Sequence, residues 1–329
     1  MPVHDGEGNL SRALESISCQ RDRCVQIVIV DCASTDRTTD ISNRAAERDI
    51  RIDTVRLDTP DIAAGFSKGL TLARGSYVTV LGADDWFARG SLDRAIELAE
   101  DGAFDIIAVA HALDAHDSDG NRRARVAAPA ELSVSSRDEM AASFAALAEE
   151  NILNFTCGNL YRRELLTGEA PLLGTLDTVI FNTHALESAQ SVCTEQGIVC
   201  HMPERSNTAA FDPQRFEQVE RQHRALVELS RAFGVADAPE TVTAVSRWHY
   251  RAMARCIENL CLSPHSVSSI ERNARLRDML DAESTRSSMR SLQGSAKDLG
   301  IMYGPISSGN ISACLLGSWV SHNLHFLAR

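Results

Sequence analysis

The sequence predicts an α/β protein with a mostly parallel sheet flanked by helices, followed by a helical C-terminal region. Three observations predict it. Hydrophobic spacing alternates between strand and helix periods along the first third, two acidic turns follow β-branched runs, and from Pro213 the apolar residues keep to helical spacing. Strands alternating with helices of this length build βαβ units, whose ligands bind beyond the carboxyl ends of the strands.

The elements follow in order. Leu10, Ala13, Leu14 and Ile17 mark a first helix, and Val25 to Val30 is a strand that stops at Asp31-Cys32-Ala33-Ser34. Ser34, Thr35 and Asp36 are all good N-cap types for a helix running to about Arg48. Ile50, Ile52, Val55 and Leu57 predict a second strand, and Ile62, Phe66, Leu70 and Ala73 a helix ended by Gly75. Tyr77 to Leu81 is the next strand; it stops at Gly82-Ala83-Asp84-Asp85-Trp86, before a helix carrying Leu92, Ala95, Ile96 and Ala99. From Ala110 the pattern loosens, with Asp114 to Arg125 rich in turn residues and a helix at Met140, Phe144 and Leu147. The last third has one stripe of Phe216, Val219, Leu226 and Phe233 and another of Val245, Trp248 and Cys256.

Composition excludes several classes. The chain has 329 residues, enough for about two domains without disulfide staples. Its formal net charge of −12 argues against nucleic acid as a partner, because such proteins carry a basic footprint. A phosphate-bearing ligand remains compatible, since a bound divalent metal inverts the local charge logic. The nine cysteines form no Cys-x-x-Cys pair, so no zinc ribbon is expected and a reducing cytoplasm is the simplest location. The opening Met1-Pro2-Val3-His4-Asp5 is unlike a secretion signal. Ile311 to Leu327 is too short and too polar to span a bilayer; a packed tail is the plain reading, and a peripheral contact at the inner face of the membrane the sharper one.

Asp84 and Asp85 are adjacent at a strand end, so their side chains leave one turn in different directions. One can hold a divalent cation while the other accepts hydrogen bonds from a hydroxyl, and magnesium commonly binds one or two carboxylates plus substrate phosphates. Asp31 lies at the same edge of the same sheet. Cys193, Cys200 and His201, and His322 and His325 near Cys314, complete no recognised metal spacing.

The stretch Ile27-Val28-Ile29-Val30-Asp31-Cys32-Ala33-Ser34-Thr35-Asp36-Arg37-Thr38 resembles the segment of family-2 glycosyltransferases in which a strand runs into an acidic pair and then Gly-Ser-Thr-Asp-Gly-Thr, with Arg37 in place of the last glycine. Gly65 to Asp85 is similar to the helix, strand and Asp-x-Asp-like turn of that family. Asn159-Leu160-Tyr161-Arg162-Arg163-Glu164-Leu165-Leu166 and Leu176-Asp177-Thr178 resemble two later segments. The resemblance covers about residues 1 to 210 and says little of the helical last third.

It implies a GT-A-like (Rossmann-like) fold and a metal-dependent, inverting sugar transfer. The donor would be a nucleotide-diphosphate sugar, the acceptor a glycan or a lipid-linked molecule, and the setting bacterial surface polysaccharide synthesis. By the resemblance Asp85 is the ligand of Mg2+ or Mn2+, Asp84 a ribose or metal contact, Asp31 a nucleotide contact and Asp177 the general base. An N-cap role for Asp177, at the start of a helix from Thr178, stays open. Lys68 is the nearest cation for a phosphate, Trp86 an aromatic that could border the donor, and Arg205 and Ser206 a loose match to acceptor-side residues. The expected division is a nucleotide-sugar half over 1–110, an acceptor half over 111–210, a helical region over 211–300 and a tail over 301–329; a homo-oligomer is left open.

The sequence also departs from that family. Relatives open with a full interior strand before Pro-Val-Tyr-Asn, so the first strand is expected to be missing here, which leaves backbone groups open to a strand from a partner or from the chain's own tail. Cys32 replaces the second acid of the pair, and Ala64 and Ser67 stand where relatives place Asp and Asn. These departures motivate an alternative, a degenerate binding or assembly subunit without turnover. A dinucleotide-binding enzyme ranks last, because no Gly-x-Gly-x-x-Gly turn follows a strand.

Overall fold

A computed structural model describes residues 1–20, 25–100, 104–116, 122–148, 150–166, 177–203, 211–262 and 267–327. The chain divides into two compact units, one of residues 1–143 and 149–204, the other of 144–148 and 205–329.

The first unit begins with β1 (Pro2–Val3), α1 (Leu10–Ser18), β2 (Ile27–Cys32), α2 (Thr38–Arg48), β3 (Ile52–Leu57) and α3 (Ile62–Leu72). β1, β2 and β3 form a three-stranded parallel sheet in that order. The first strand expected to be missing is therefore present as a two-residue stub: Pro2 pairs with Val30, and the terminal amine of Met1 donates to the Val28 carbonyl at 2.8 Å. β2 reads as an unbroken apolar run because both its faces are covered, and all six of its residues are buried. On one face α3 comes very close: a Cβ on Gly65 would stand 2.4 Å from the Cys32 sulfur, so only a glycine fits there.

The chain continues through β4 (Tyr77–Val78), β5 (Trp86–Phe87), α4 (Ser91–Glu100), β6 (Ile106–His116), β7 (Arg122–Ala127) and β8 (Ser133–Val134). α5 (Arg137–Ala142), α6 (Phe144–Leu147), α7 (Glu150–Leu153), β9 (Leu160–Arg162), α8 (Thr178–Ser188) and β10 (Val192–Pro203) follow. A second sheet runs β4-β9-β6-β10-β5, with β7 on β6 and β8 on β10. β10 is parallel to β6, and its other pairings are antiparallel. The strand expected over Tyr77–Leu81 forms a ladder only at Tyr77–Val78, plus one bridge from Val80 to Cys157. β1 pairs with β2 alone, so this segment has no ladder partner on that side.

Side chains join what the backbone does not. Val3, Leu10, Ile29, Leu81, Phe87, Ile107 and Val109 share one core, each apolar side chain contributing about 1.5–3 kcal/mol by leaving water.

In the second unit, α6 belongs with α9 (Arg215–Ala232), α10 (Pro239–Leu262), α11 (Ser269–Asp281), α12 (Glu283–Ser291), α13 (Tyr303–Ser307) and α14 (Ile311–Leu327). The Met140 to Leu147 helix read from spacing is broken at Ser143, and Phe144 packs with Phe233 at 5.8 Å. Val219, Leu226, Val245, Trp248 and Cys256 are buried as their spacing requires. A buried polar network ties α9, α10 and α12 together: His249 contacts Ser288 Oγ at 2.9 Å and Glu220 Oε1 at 3.1 Å, and stacks on His223 at 4.0 Å. Burial, with the neighbouring His249, pushes His223 down to about 3, against the pull of Glu220. Among the described residues no helix is long and apolar enough to cross a membrane.

Candidate active site

Three loops converge at the carboxyl ends of β1, β2 and the strand that leads out of β4, which is where a parallel sheet presents ligands. The first, residues 4–9, interlocks with the second, residues 33–38. Asp5 accepts from the Thr35 backbone N–H at 2.7 Å, Gly6 N–H donates to Thr38 Oγ1 at 2.8 Å, and Arg37 N–H donates to Glu7 at 3.0 Å. Asp5 and Ala33 both hold positive φ, +48° and +54°, a conformation costing about 1–3 kcal/mol that persists only where surroundings enforce it. The third loop is the acidic turn. A Cβ on Gly6 would lie 2.9 Å from the Ala83 Cβ, so the first loop closes directly on it.

Within that turn the two carboxylates face opposite ways. Asp84 is exposed and accepts from Asn9 Nδ2 at 2.7 Å. Asp85 is half-buried and turns back, its Oδ2 accepting the Gly82 N–H at 3.0 Å. Asn9 precedes α1 yet makes no side-chain cap there; its Nδ2 donates to Asp84 and its Oδ1 accepts from Arg12 at 3.4 Å. Arg12, one turn into α1, donates to the Asp84 carbonyl at 3.3 Å and lies 3.8 Å over the Trp86 ring. Trp86 also stacks in parallel on His201 at 5.0 Å, and His201 Nδ1 meets the buried Asp114 at 3.0 Å. Trp86 thus braces the turn through two partners, Arg12 and His201.

Asp31 is buried, and its partners come from the following loop, α2 and β3: it accepts from Ser34 N–H at 2.9 Å, from Thr39 Oγ1 and from Arg56 Nη1, both at 2.5 Å. Asp31, Thr39 and Arg56 border a cavity of about 220 Å3 between α2 and β3. Burial alone would raise the Asp31 carboxyl, but the hydrogen bonds from Ser34 and Thr39 and the Arg56 charge outweigh it and lower it below its ordinary 3.8. A depressed carboxyl stabilises the fold fully above that ordinary value, and the contribution fades as pH falls through the lower folded value. Arg56→Met should therefore cost stability at pH 7, about 1–2 kcal/mol once the half-exposed guanidinium is discounted. Urea midpoints of the two proteins measured from pH 7 to 2 are expected to converge at the acid end; a constant gap would refute the linkage.

The structure does not bring every expected residue to this turn. Lys68 is exposed on α3. Asp177 is the N-cap of α8, accepting from Val179 and Ile180 N–H at 3.2 Å each. Arg205 and Ser206 lie outside the described residues. Asp5, Asn9, Arg12, Arg56 and Asp114 give no signal in the sequence, since each acts through a partner distant in the chain. The hard oxygen donors of the turn, one exposed carboxylate with a second beside it, suit a divalent cation that keeps phosphate and water ligands, although no group of three His, Cys, Asp or Glu side chains gathers among the described residues.

An interlocked, acid-tipped loop set at the carboxyl ends of a parallel sheet is where such a fold binds ligands, and comparison with known proteins gives the class, a glycosyltransferase. The family model for glycosyl transferase family 2 matches residues 1–167, and the chain belongs to that family. It is 24% identical over 300 residues to the "Uncharacterized glycosyltransferase EpsJ" of Bacillus subtilis, covering 88% of this chain and 85% of that one. In fold it is similar to S. aureus TarS 1–349 in complex with UDP-GlcNAc, with a TM-score of 0.62 at 13% identity, over 98% of this chain and 90% of that one. It is also similar to the mannosyltransferase PcManGT of Pyrobaculum calidifontis in complex with GDP-Man and Mn2+, with a TM-score of 0.51 at 17% identity, over 97% and 84% of the two chains. The chain is a glycosyltransferase with the GT-A fold.

Proposed function

We propose that the chain moves a sugar from a nucleoside-diphosphate donor to a hydroxyl of a glycan or lipid-linked acceptor, in one inverting displacement that requires Mg2+ or Mn2+, in bacterial surface polysaccharide synthesis. The observation that carries this reading is the exposed Asp84 carboxylate held at the mouth of the three converging loops. TarS and PcManGT, which share the fold, are described in complex with UDP-GlcNAc and with GDP-Man and Mn2+.

In this reading Asp84 holds the cation and Asp85 keeps the turn in shape, whereas the resemblance gives the cation to Asp85 and makes Asp84 a ribose or metal contact. The bound cation supplies charge stabilisation for the departing diphosphate. Asn9 fixes the Asp84 rotamer, and Arg12, clamped over Trp86, adds positive charge at the mouth. Asp177 takes the acceptor proton while its N-cap bonds fix its direction, and Lys68, Arg205 and Ser206 remain proposed contacts to donor phosphate and acceptor.

A thermal-shift titration with UDP, GDP and dTDP, each with and without Mn2+, tests the donor site. Ligand at about a hundred times its dissociation constant stabilises by about 2.7 kcal/mol, a shift of several degrees. A cation-dependent shift with one nucleotide is expected. No shift with any of them would favour a subunit that no longer turns over.

A further inference from the structure

Two cysteine sulfurs meet behind the acidic turn. Cys157 and Cys200 are buried, and their Sγ atoms lie 2.7 Å apart. Cys157 bridges Val80, and the Gly158 N–H donates to the Val80 carbonyl at 3.2 Å, so this backbone is stitched to the segment that enters the turn. His111 Nε2 holds the Cys157 carbonyl at 2.6 Å from the other side. Gly158 has φ +77°, and a Cβ on it would stand 2.8 Å from the Cys200 Cβ, so glycine is what lets β10 come this close. β10 also shifts register against β6 between Ile198 and Cys200, the kind of irregularity that re-aims a side chain.

A shared metal does not fit this geometry. A tetrahedral zinc about 2.3 Å from each thiolate would hold the sulfurs about 3.7 Å apart, and no third metal-binding side chain completes a group among the described residues. Burial first, then the neighbouring Cys200 sulfur and the Asp85 charge, push the Cys157 thiol well up.

We propose that Cys157 and Cys200 are a dithiol–disulfide pair, oxidised by a low-molecular-weight disulfide. One cysteine, as thiolate, attacks a sulfur of the small disulfide and displaces one thiolate, leaving a mixed disulfide. The second cysteine then attacks the protein-side sulfur and displaces the other thiolate. The two cysteine protons and two electrons end on the two released thiols, and one S–S bond is exchanged for another.

The full chain, folded, is brought to equilibrium in glutathione buffers of rising oxidised fraction, acid-quenched, alkylated in denaturant and mapped without reduction. A linked peptide joining Cys157 to Cys200 is expected, absent in Cys200→Ser, while the exposed Cys19 carries glutathione. Both cysteines alkylated at every ratio, with Cys19 glutathionylated in the same sample, would overturn the proposal.

Discussion

Asp177→Asn is expected to lower turnover by about 10²–10⁴-fold while leaving donor affinity and thermal midpoint unchanged. Asparagine is the informative substitution because Asp177 has two separable duties. As N-cap of α8 it accepts from Val179 and Ile180, and an asparagine oxygen does this about as well as a carboxylate. As proposed base it must take a proton, which an amide cannot do. A cap-only residue would therefore leave turnover near that of the parent, and normal kcat in this variant would remove Asp177 from the mechanism. Asp177→Ala is less clean, since it would also cost about 1 kcal/mol of helix capping. Donor titration and a transfer assay on the same preparation separate the two cases.

Asp84→Asn is expected to abolish the cation-dependent part of nucleotide binding, whereas Asp85→Asn keeps most of it. The difference follows from which way each carboxylate points. Asp84 is exposed and fixed by Asn9, and losing its charge removes a ligand that a divalent cation needs at the turn. Asp85 already spends Oδ2 on the Gly82 N–H, a bond its amide analogue can still accept. The readout is the Mn2+-dependent thermal shift at saturating nucleotide, about 2.7 kcal/mol at a hundred times the dissociation constant. The opposite ranking would restore Asp85 as the cation ligand.

Local elements were readable because each is decided by neighbours in sequence. Leu10, Ala13, Leu14 and Ile17 are buried at helical spacing on α1, and Val28 and Val30 announced β2 through β-branching alone. The acidic turns were readable as strand ends. What could not be read were decisions made by residues far apart in the chain. Asp31 carries nothing locally to show that Arg56, on the next strand, occupies it. Asn9 looks like an ordinary cap, and only the fold reveals a partner 75 residues on. Cys32 looked like a lost acid, and the structure shows it beneath Gly65, where a carboxylate would have been buried against α3. The stretch after Val78 was expected to be strand from its own side chains, yet a strand needs a neighbour, and β1 is two residues long.

The two sheets of the first unit are held together by interdigitated apolar side chains and by hydrogen bonds from α1 and the loop before it: Asn9 and Arg12 reach Asp84, and Ser16 Oγ accepts the Phe87 N–H at 3.1 Å. Dispersion varies gently with offset while hydrogen bonds do not, so these three bonds set the register between the acidic turn and the loop holding Asp5. Amide exchange would register this as slow labelling of Phe87 beside slow labelling of β2.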